Sequence, residues 1–358
     1  MLFRVSIRRM PIMLCVVCML CGSLLPAPAA AQEDPASPDR KTITRVGTTA
    51  AQFLKLGVGA RPIALGGAFV AEASGLSAAY WNPAGLAGLR GNALQLSKTE
   101  YLADVDFNIA AFATHLSSIG TVAFTLILLD SGNMHVRTER EPEGTGERFN
   151  VQNFAIQASF ARSLTDRFSI GGSVKYIQER IWHSKASAIA FDIGTLFTTP
   201  YSRLRLGASM SNLGPKMRMD GRDILFSEDP NPNTDGTVEI VNAQYRMDAH
   251  ALPLLFRVGL AWDAVHTSTH RVVVSTDATH PNDNSEYVNM GMEYSFRDLL
   301  SLRAGFRNLF EPDSEQGLTF GAGLNVRVNR SLRTALDYAY AEFGRLTQTH
   351  WFTVTLSF

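Results

Sequence analysis

From Asn92 onward the chain is a succession of about fourteen runs in which apolar and polar residues alternate, and the links between the runs sort by length. The runs fall near 92–100, 105–116, 119–130, 151–163, 168–180, 187–198, 203–212, 253–264, 270–279, 286–297, 300–309, 317–328, 331–341 and 348–358. Starting from the second run every other link is tight, as at Ser117-Ser118, 164–167, 199–202, 265–269, Asp298-Leu299 and Asn329-Arg330, while the links between include two long ones, 131–150 and 213–252. A propeller or a sandwich has no reason to sort its loops by parity. A bacterial outer-membrane barrel has one: short periplasmic turns, long outer loops and an even strand number. The pattern predicts an all-β, transmembrane, antiparallel up-and-down β-barrel of about fourteen strands with both termini in the periplasm.

The two faces of these runs differ in chemistry. In the last one, Phe352, Val354, Leu356 and Phe358 share one face and Thr353, Thr355 and Ser357 the other, with Phe358 as a candidate assembly signal for the barrel assembly machinery. Leu254, Phe256, Val258, Leu260 and Trp262 likewise oppose Arg257 and Asp263. A soluble sandwich strand alternates too, but an Arg or Lys facing lipid at mid-depth costs about 2–4 kcal/mol, which assigns the charged face of a barrel to the lumen. Lys175, Asp192, Arg205, Arg257, Asp263, Asp277, Arg303, Arg333 and Asp337 then form a mixed-sign interior. Such an interior is either a paired network that keeps the barrel rigid and closed or a selectivity lining.

Residues 1–31 read as a secretory signal peptide: Arg4, Arg8 and Arg9 precede an apolar stretch, and Ala29-Ala30-Ala31 forms the small-residue exit before Gln32. All three cysteines, Cys15, Cys18 and Cys21, lie in this leader, so the exported chain folds without disulfides or a thiolate metal site. Leu20 before Cys21 argues against a lipoprotein. Losing the three leader arginines from 33 basic residues leaves 30 against 33 acidic ones, a formal charge of −3 that makes nucleic acid an unsuitable partner. Past the leader no run approaches the roughly twenty apolar residues of a spanning helix, so this chain meets outer-membrane lipid through strands.

No catalytic site is legible. The eight histidines are scattered, with no HExxH or GxSxG pattern, and a non-enzymatic protein without cofactor is expected. Asp229-Pro230-Asn231-Pro232-Asn233-Thr234-Asp235-Gly236 places oxygen ligands at alternate positions but lacks the closing glutamate of a calcium loop, and reads as a polar surface loop rather than a metal site. In the same long link, Met217, Met219, Ile224, Leu225 and Phe226 either cap the barrel mouth or offer an apolar patch to a partner.

Ahead of the barrel, residues 32–45 read as a polar lead-in, and Ala50 to Gly57 has a short helical look with a glycine stop. Gly59-Ala60-Arg61, Leu65-Gly66-Gly67-Ala68-Phe69-Val70-Ala71 and Tyr80-Trp81-Asn82-Pro83-Ala84-Gly85-Leu86-Ala87 follow, rich in small residues that allow close backbone approach. These motifs resemble the N-terminal signature of the PorV/PorQ family of outer-membrane proteins, which is related in fold to the FadL long-chain fatty-acid transporters. Ser211-Asn212-Leu213-Gly214, Leu302-Arg303-Ala304-Gly305-Phe306, 317–323 and Asp337-Tyr338-Ala339-Tyr340 fit the resemblance as well. It implies a fourteen-stranded barrel whose lumen holds the N-terminal segment, hence three parts: leader 1–31, lead-in and plug 32–91, barrel 92–358. Arg61, Gly66, Gly67, Asn82, Pro83 and Gly85 become plug or gate candidates, either a turn packed on the inner wall or an element that moves when ligand arrives.

Three functions follow from the resemblance and the pattern. The first is a type IX secretion accessory that receives cargo C-terminal signal domains from the translocon and passes them to surface attachment machinery. The second is a FadL-like transporter of hydrophobic small molecules. The third is a non-conducting structural barrel. FadL-type transport uses an inward kink in the wall, and the third run, 119–130, has no proline or mid-strand glycine to mark one.

Overall fold

The computed structural model describes residues 46–358 apart from 118, 202, 230–239 and 313. The leader, the lead-in and, past Asp229, the calcium-like run therefore lie outside the described residues. Fourteen strands form the wall: β1 Asn92–Glu100, β2 Asp106–Leu116, β3 Gly120–His135, β4 Arg148–Ser163, β5 Phe168–Ile181, β6 Ser184–Thr198, β7 Leu204–Leu213, β8 Leu255–His266, β9 His270–Pro281, β10 Tyr287–Phe296, β11 Leu300–Leu309, β12 Leu318–Arg327, β13 Arg333–Glu342 and β14 Gln348–Ser357. Each pairs antiparallel with its sequence neighbours, and β1 pairs with β14 from Ala93↔Ser357 to Glu100↔His350, which closes the sheet. A ten-residue strand is about 33 Å long, and tilted by about 40° it spans about 25 Å, the height of an apolar membrane band.

The period-two alternation explains the two faces. Phe124, Ile193, Leu302 and Phe352 each expose more than half of their surface outward, whereas Lys175, Asp192 and Asp277 on alternate positions are almost fully buried. In the loops the structure departs from the sequence pattern. β3 and β4 continue to His135 and restart at Arg148, beyond the expected 130 and 151, with a register shift between Asp130 and Asn133. β5 and β6 are joined at the long-loop end by Trp182 and His183 alone, Trp182 adopting φ 52°. As a result β3 to β6 have 14–16 residues against 9–12 in the others, and one flank of the barrel rises higher than the rest.

The segment 46–91 occupies the lumen. It makes short helical turns at Gln52–Lys55 and Pro83–Gly88 and two short helices, α1 Ala60–Ala64 and α2 Ala78–Trp81, with most side chains buried in one core shared with the inner wall. Its hydrogen bonds reach strands all round the barrel: Ala60 N–H to Thr353 Oγ1 (2.9 Å), Thr319 Oγ1 to Ala64 O (3.1 Å), Asn82 Nδ2 to Thr195 O (2.9 Å) and Gln157 Nε2 to Ala79 O (2.7 Å). Only a segment inside the cylinder meets β14, β12, β6 and β4 together.

Loop parity places both chain ends on the tight-turn side; Phe358 is there, bonded through its backbone to Asn92, and the N-terminal end lies outside the described residues. The described part of the segment begins at the long-loop end, where Ala50 N–H bonds Ala251 O (2.9 Å) and Lys55 pairs with Asp283 (3.0 Å). Loop lengths report where strands end. The path of a segment through the lumen carries no alternation to read.

Candidate functional site

The sites of interest are the lumen filling and the two mouths it leaves. Asn82 is the centre of the filling: its Nδ2 donates to Val70 O (2.9 Å) and Thr195 O (2.9 Å), and its Oδ1 accepts from Ala84 N–H (3.2 Å). One amide thereby ties two turns of the segment to β6 and caps the Pro83–Gly88 turn, whose first residue, Pro83, lacks an N–H that would go unpaired there. Gly85 faces Ala73 so closely that a Cβ would sit 2.4 Å from its carbonyl oxygen, and Gly66, at φ 66°, would drive a Cβ to 2.7 Å from the backbone of Met290 and Phe306. Gly67 follows at φ 81° beside Asn289 and Trp81. Asp277 receives both Phe69 N–H (2.7 Å) and Val70 N–H (2.8 Å), and the guanidinium of Arg257 lies over the rings of Tyr80 (5.7 Å) and Trp81 (5.3 Å).

Charge is concentrated toward the tight-turn mouth. Asp337 pairs with Arg303 (2.7 Å), Arg303 with Glu293 (2.6 Å), Glu293 with Arg61 (2.8 Å), and Arg61 with Glu72 (2.8 Å). Glu72 continues to Arg205, which pairs with Asp263 (2.8 Å), and Arg271 bridges Glu72 (3.4 Å) and Asp263 (3.3 Å). Four arginines and four carboxylates balance, and the segment supplies one of each. This chain lines a cavity of about 490 Å³. A second, separate set joins Lys175 to Asp192 (2.9 Å) and Asn212 (2.6 Å).

The nine sequence candidates therefore divide. Arg205, Asp263, Arg303 and Asp337 join through Arg61 into one chain; Lys175 and Asp192 form another; Arg257 and Asp277 each hold the segment directly. Arg333 is not brought in: it is exposed at the rim of the same cavity, without an ion pair among the described residues. Sequence reasoning passed over Glu72, Arg271 and Glu293. The last two were legible, since Arg271 shares strand parity with Asp277 and Glu293 shares it with Ser295. It also gave no inner-wall role to Gly171, Gly194, Gly207, Gly291, Gly305 and Gly321, positions where a Cβ would collide with the lumen segment.

At the long-loop mouth, Thr49, Gln52 and Lys55 converge on Asp283. Burial favours the neutral form of this carboxyl, but the hydrogen bonds from Gln52, Thr49 and Lys55 and the Lys55 charge outweigh it and hold the group below its ordinary value. The apolar residues of the long link split between the two roles expected of them. Met217 is buried against the mouth with Met219 packed beside it, whereas Leu225 is exposed on a small hairpin, Leu225–Glu228 with Val241–Gln244, that also exposes Tyr245. Among the described residues no group of three or more His, Cys, Asp or Glu is placed to hold a metal ion, and no helix is long and apolar enough to cross a membrane.

Comparison with known proteins gives two kinds of likeness. A family model described as "Type IX secretion system protein PorV" matches residues 38–231, a little over half of the 358-residue chain. Among solved structures, the CymD monoaromatic hydrocarbon channel is similar with TM-score 0.52 at 12% identity, covering 84% of this chain and 98% of that one. The Pseudomonas putida toluene transporter TodX gives 0.50 at 14% identity over 84% and 96%. A Pseudomonas aeruginosa FadL homologue gives 0.48 at 12% over 82% and 97%. At these identities the likeness speaks to the fold alone. A comparison with curated proteins finds no match.

Proposed function

The chain belongs to the PorV family of type IX secretion system proteins, an outer-membrane barrel of FadL-like architecture, and from that premise we propose that it is an accessory of type IX protein export. In this reading the barrel does not conduct cargo. It receives the C-terminal signal domain of a translocated protein at its outer mouth and passes it to the surface attachment machinery. The family match carries the proposal.

The geometry supports a docking role over a conduit. A lumen packed with residues 51–87 offers binding surface only at its mouths, and at one of them the Leu225–Glu228 hairpin and its partner strand expose Leu225 and Val241, with Ile240 and Tyr245 beside them. A transporter of hydrophobic molecules needs an apolar route to a side exit. The ladders of β3 with β2 and β4 run without a break from Thr121 to Asp130, which supports a sealed wall there.

The deciding experiment is deletion of the gene from the native host. Proteins carrying C-terminal secretion domains are expected to accumulate in the periplasm and vanish from the cell surface, with restoration by the intact gene. Unchanged surface display in the deletion strain overturns the reading.

A further inference from the structure

The long-loop mouth contains a cavity of about 440 Å³, within the range of ligand sites. Its apolar walls come from the segment and from three different parts of the barrel: Phe53 and Leu56 below, Leu129 on β3, and Tyr101 and Phe343, whose rings meet edge to face at 5.8 Å, in the β1–β2 and β13–β14 links. Set among them are three buried polar groups that the protein leaves unmatched. Arg307 of β11, 8% exposed, makes no ion pair and no side-chain hydrogen bond among the described residues, and its Nε is buried; Gln316 Oε1 and Asn153 Oδ1 are buried in the same state. Elsewhere in the lumen Arg61, Arg205 and Arg303 each pair with carboxylates, whereas Arg307 beside this apolar hollow pairs with none among the described residues.

The combination selects its ligand by chemistry. A hydrocarbon satisfies none of the three groups. A fatty carboxylate accepts from Arg307 but has no donor for Gln316 or Asn153, and it meets Glu179 in the same wall, while Lys55, the other cation there, is engaged with Asp283. An extended polypeptide has what is missing: a carbonyl for Arg307, N–H groups for the two amide oxygens, no net charge, and a side chain for the aromatic hollow. We propose that this cavity is the seat of an extended segment of the partner protein, bound through its backbone at Arg307, Gln316 and Asn153 and through an apolar side chain at Phe53, Tyr101 and Phe343. The proposal rests on the export reading above and gives it a site.

The test uses the full chain in native outer membranes, with p-benzoylphenylalanine replacing Tyr101, a residue of similar shape, and a control replacing Trp262 on the lipid face. Irradiation is expected to join position 101, and not position 262, to an exported polypeptide whose peptide masses map to its C-terminal domain. Arg307→Met and, in the loop, Gln316→Leu should each lower the adduct yield about tenfold, the size expected for stranding one buried hydrogen-bonding group. Heat-modifiable migration of each variant reports that the barrel has folded. Lipid adducts alone, no adduct, or a polypeptide adduct undiminished in both folded variants overturns the seat. Because gene deletion tests export independently, a strain that loses surface display while position 101 captures no chain condemns the seat and spares the export reading.

Discussion

Asn82 ties two turns of the lumen segment to the wall through a single amide. Replacing it with alanine strands the carbonyls of Val70 and Thr195 and the N–H of Ala84, the first and last fully buried and Thr195 partly so. A buried group left unmatched costs about 1–3 kcal/mol, so Asn82→Ala should lose about 3 kcal/mol or more, read as a fall in the heat-modification midpoint of the purified barrel. Asn82→Asp retains the acceptor for Ala84 but neither donor, and should fall nearly as far. Asp283 makes a different kind of bond, one that pH can release. Its carboxyl is held below the ordinary value, so its contribution is complete above about pH 4, the value for a free aspartate, and fades as pH falls through the depressed folded value. Hydrogen-exchange protection in residues 49–55, taken relative to the intrinsic rate at each pH, should accordingly stay high from neutral pH to about 5 and fall only in stronger acid. Asp283→Asn should exchange fast at neutral pH already. A wild-type protein whose protection in this stretch is insensitive to acid would show that the latch does not hold the segment.

At the scale of elements, the wall was legible because one physical rule acts on every strand: lipid outside, filled lumen inside. The expected limits of β1 and β11 match the observed ones, and those of β2, β5 and β14 differ by a single residue at one end. The rule weakens wherever a strand leaves the membrane, since alternation no longer decides between sheet and loop; hence β3 and β4 run several residues past their expected ends. Inside the lumen it gives parity without pairing. Asp263 and Arg303 could be assigned inward from sequence, but their partners Arg205 and Glu293 come from neighbouring strands in a register set by the closed ladder, and Arg61 and Glu72 come from a segment with no alternation at all. The same rule predicts an asymmetry between faces. Phe124→Arg, on the lipid face of β3, should cost about 2–4 kcal/mol if it lies near mid-depth. Thr125→Ser, one position on and facing the lumen, should be close to neutral. Urea midpoints of the two variants in detergent micelles or lipid vesicles check this, and equal losses would mean that the faces are wrongly assigned.

For the whole molecule, the question is whether a fourteen-stranded cylinder is a pore. The wall alone does not decide it, for the channel CymD and this chain share the architecture while the contents of their lumens are read from their own residues. Here the segment is held by three independent kinds of contact: the neutral bonds of Asn82, the carboxylate of Asp277 on two backbone N–H groups, and the Arg61–Glu293 and Arg205–Glu72 pairs. Buried pairs of this kind add little net stability, yet removing one partner strands the other at a cost of about 3–5 kcal/mol, so they make partial withdrawal of the segment expensive. The six inner-wall glycines add a steric argument, since they allow the segment's backbone to lie directly against the wall. Reconstituted into planar bilayers, the protein should therefore show little steady conductance, and deleting residues 47–88 should yield a large open channel if the emptied barrel remains folded. A double variant, Arg61→Met with Asp277→Asn, should show brief openings between these extremes, because both the ion-pair chain and the backbone clamp are weakened while the Asn82 bonds persist. A large stable pore in the unaltered protein would mean that the segment leaves the lumen in a membrane, and with it would go the view that this barrel works only at its mouths.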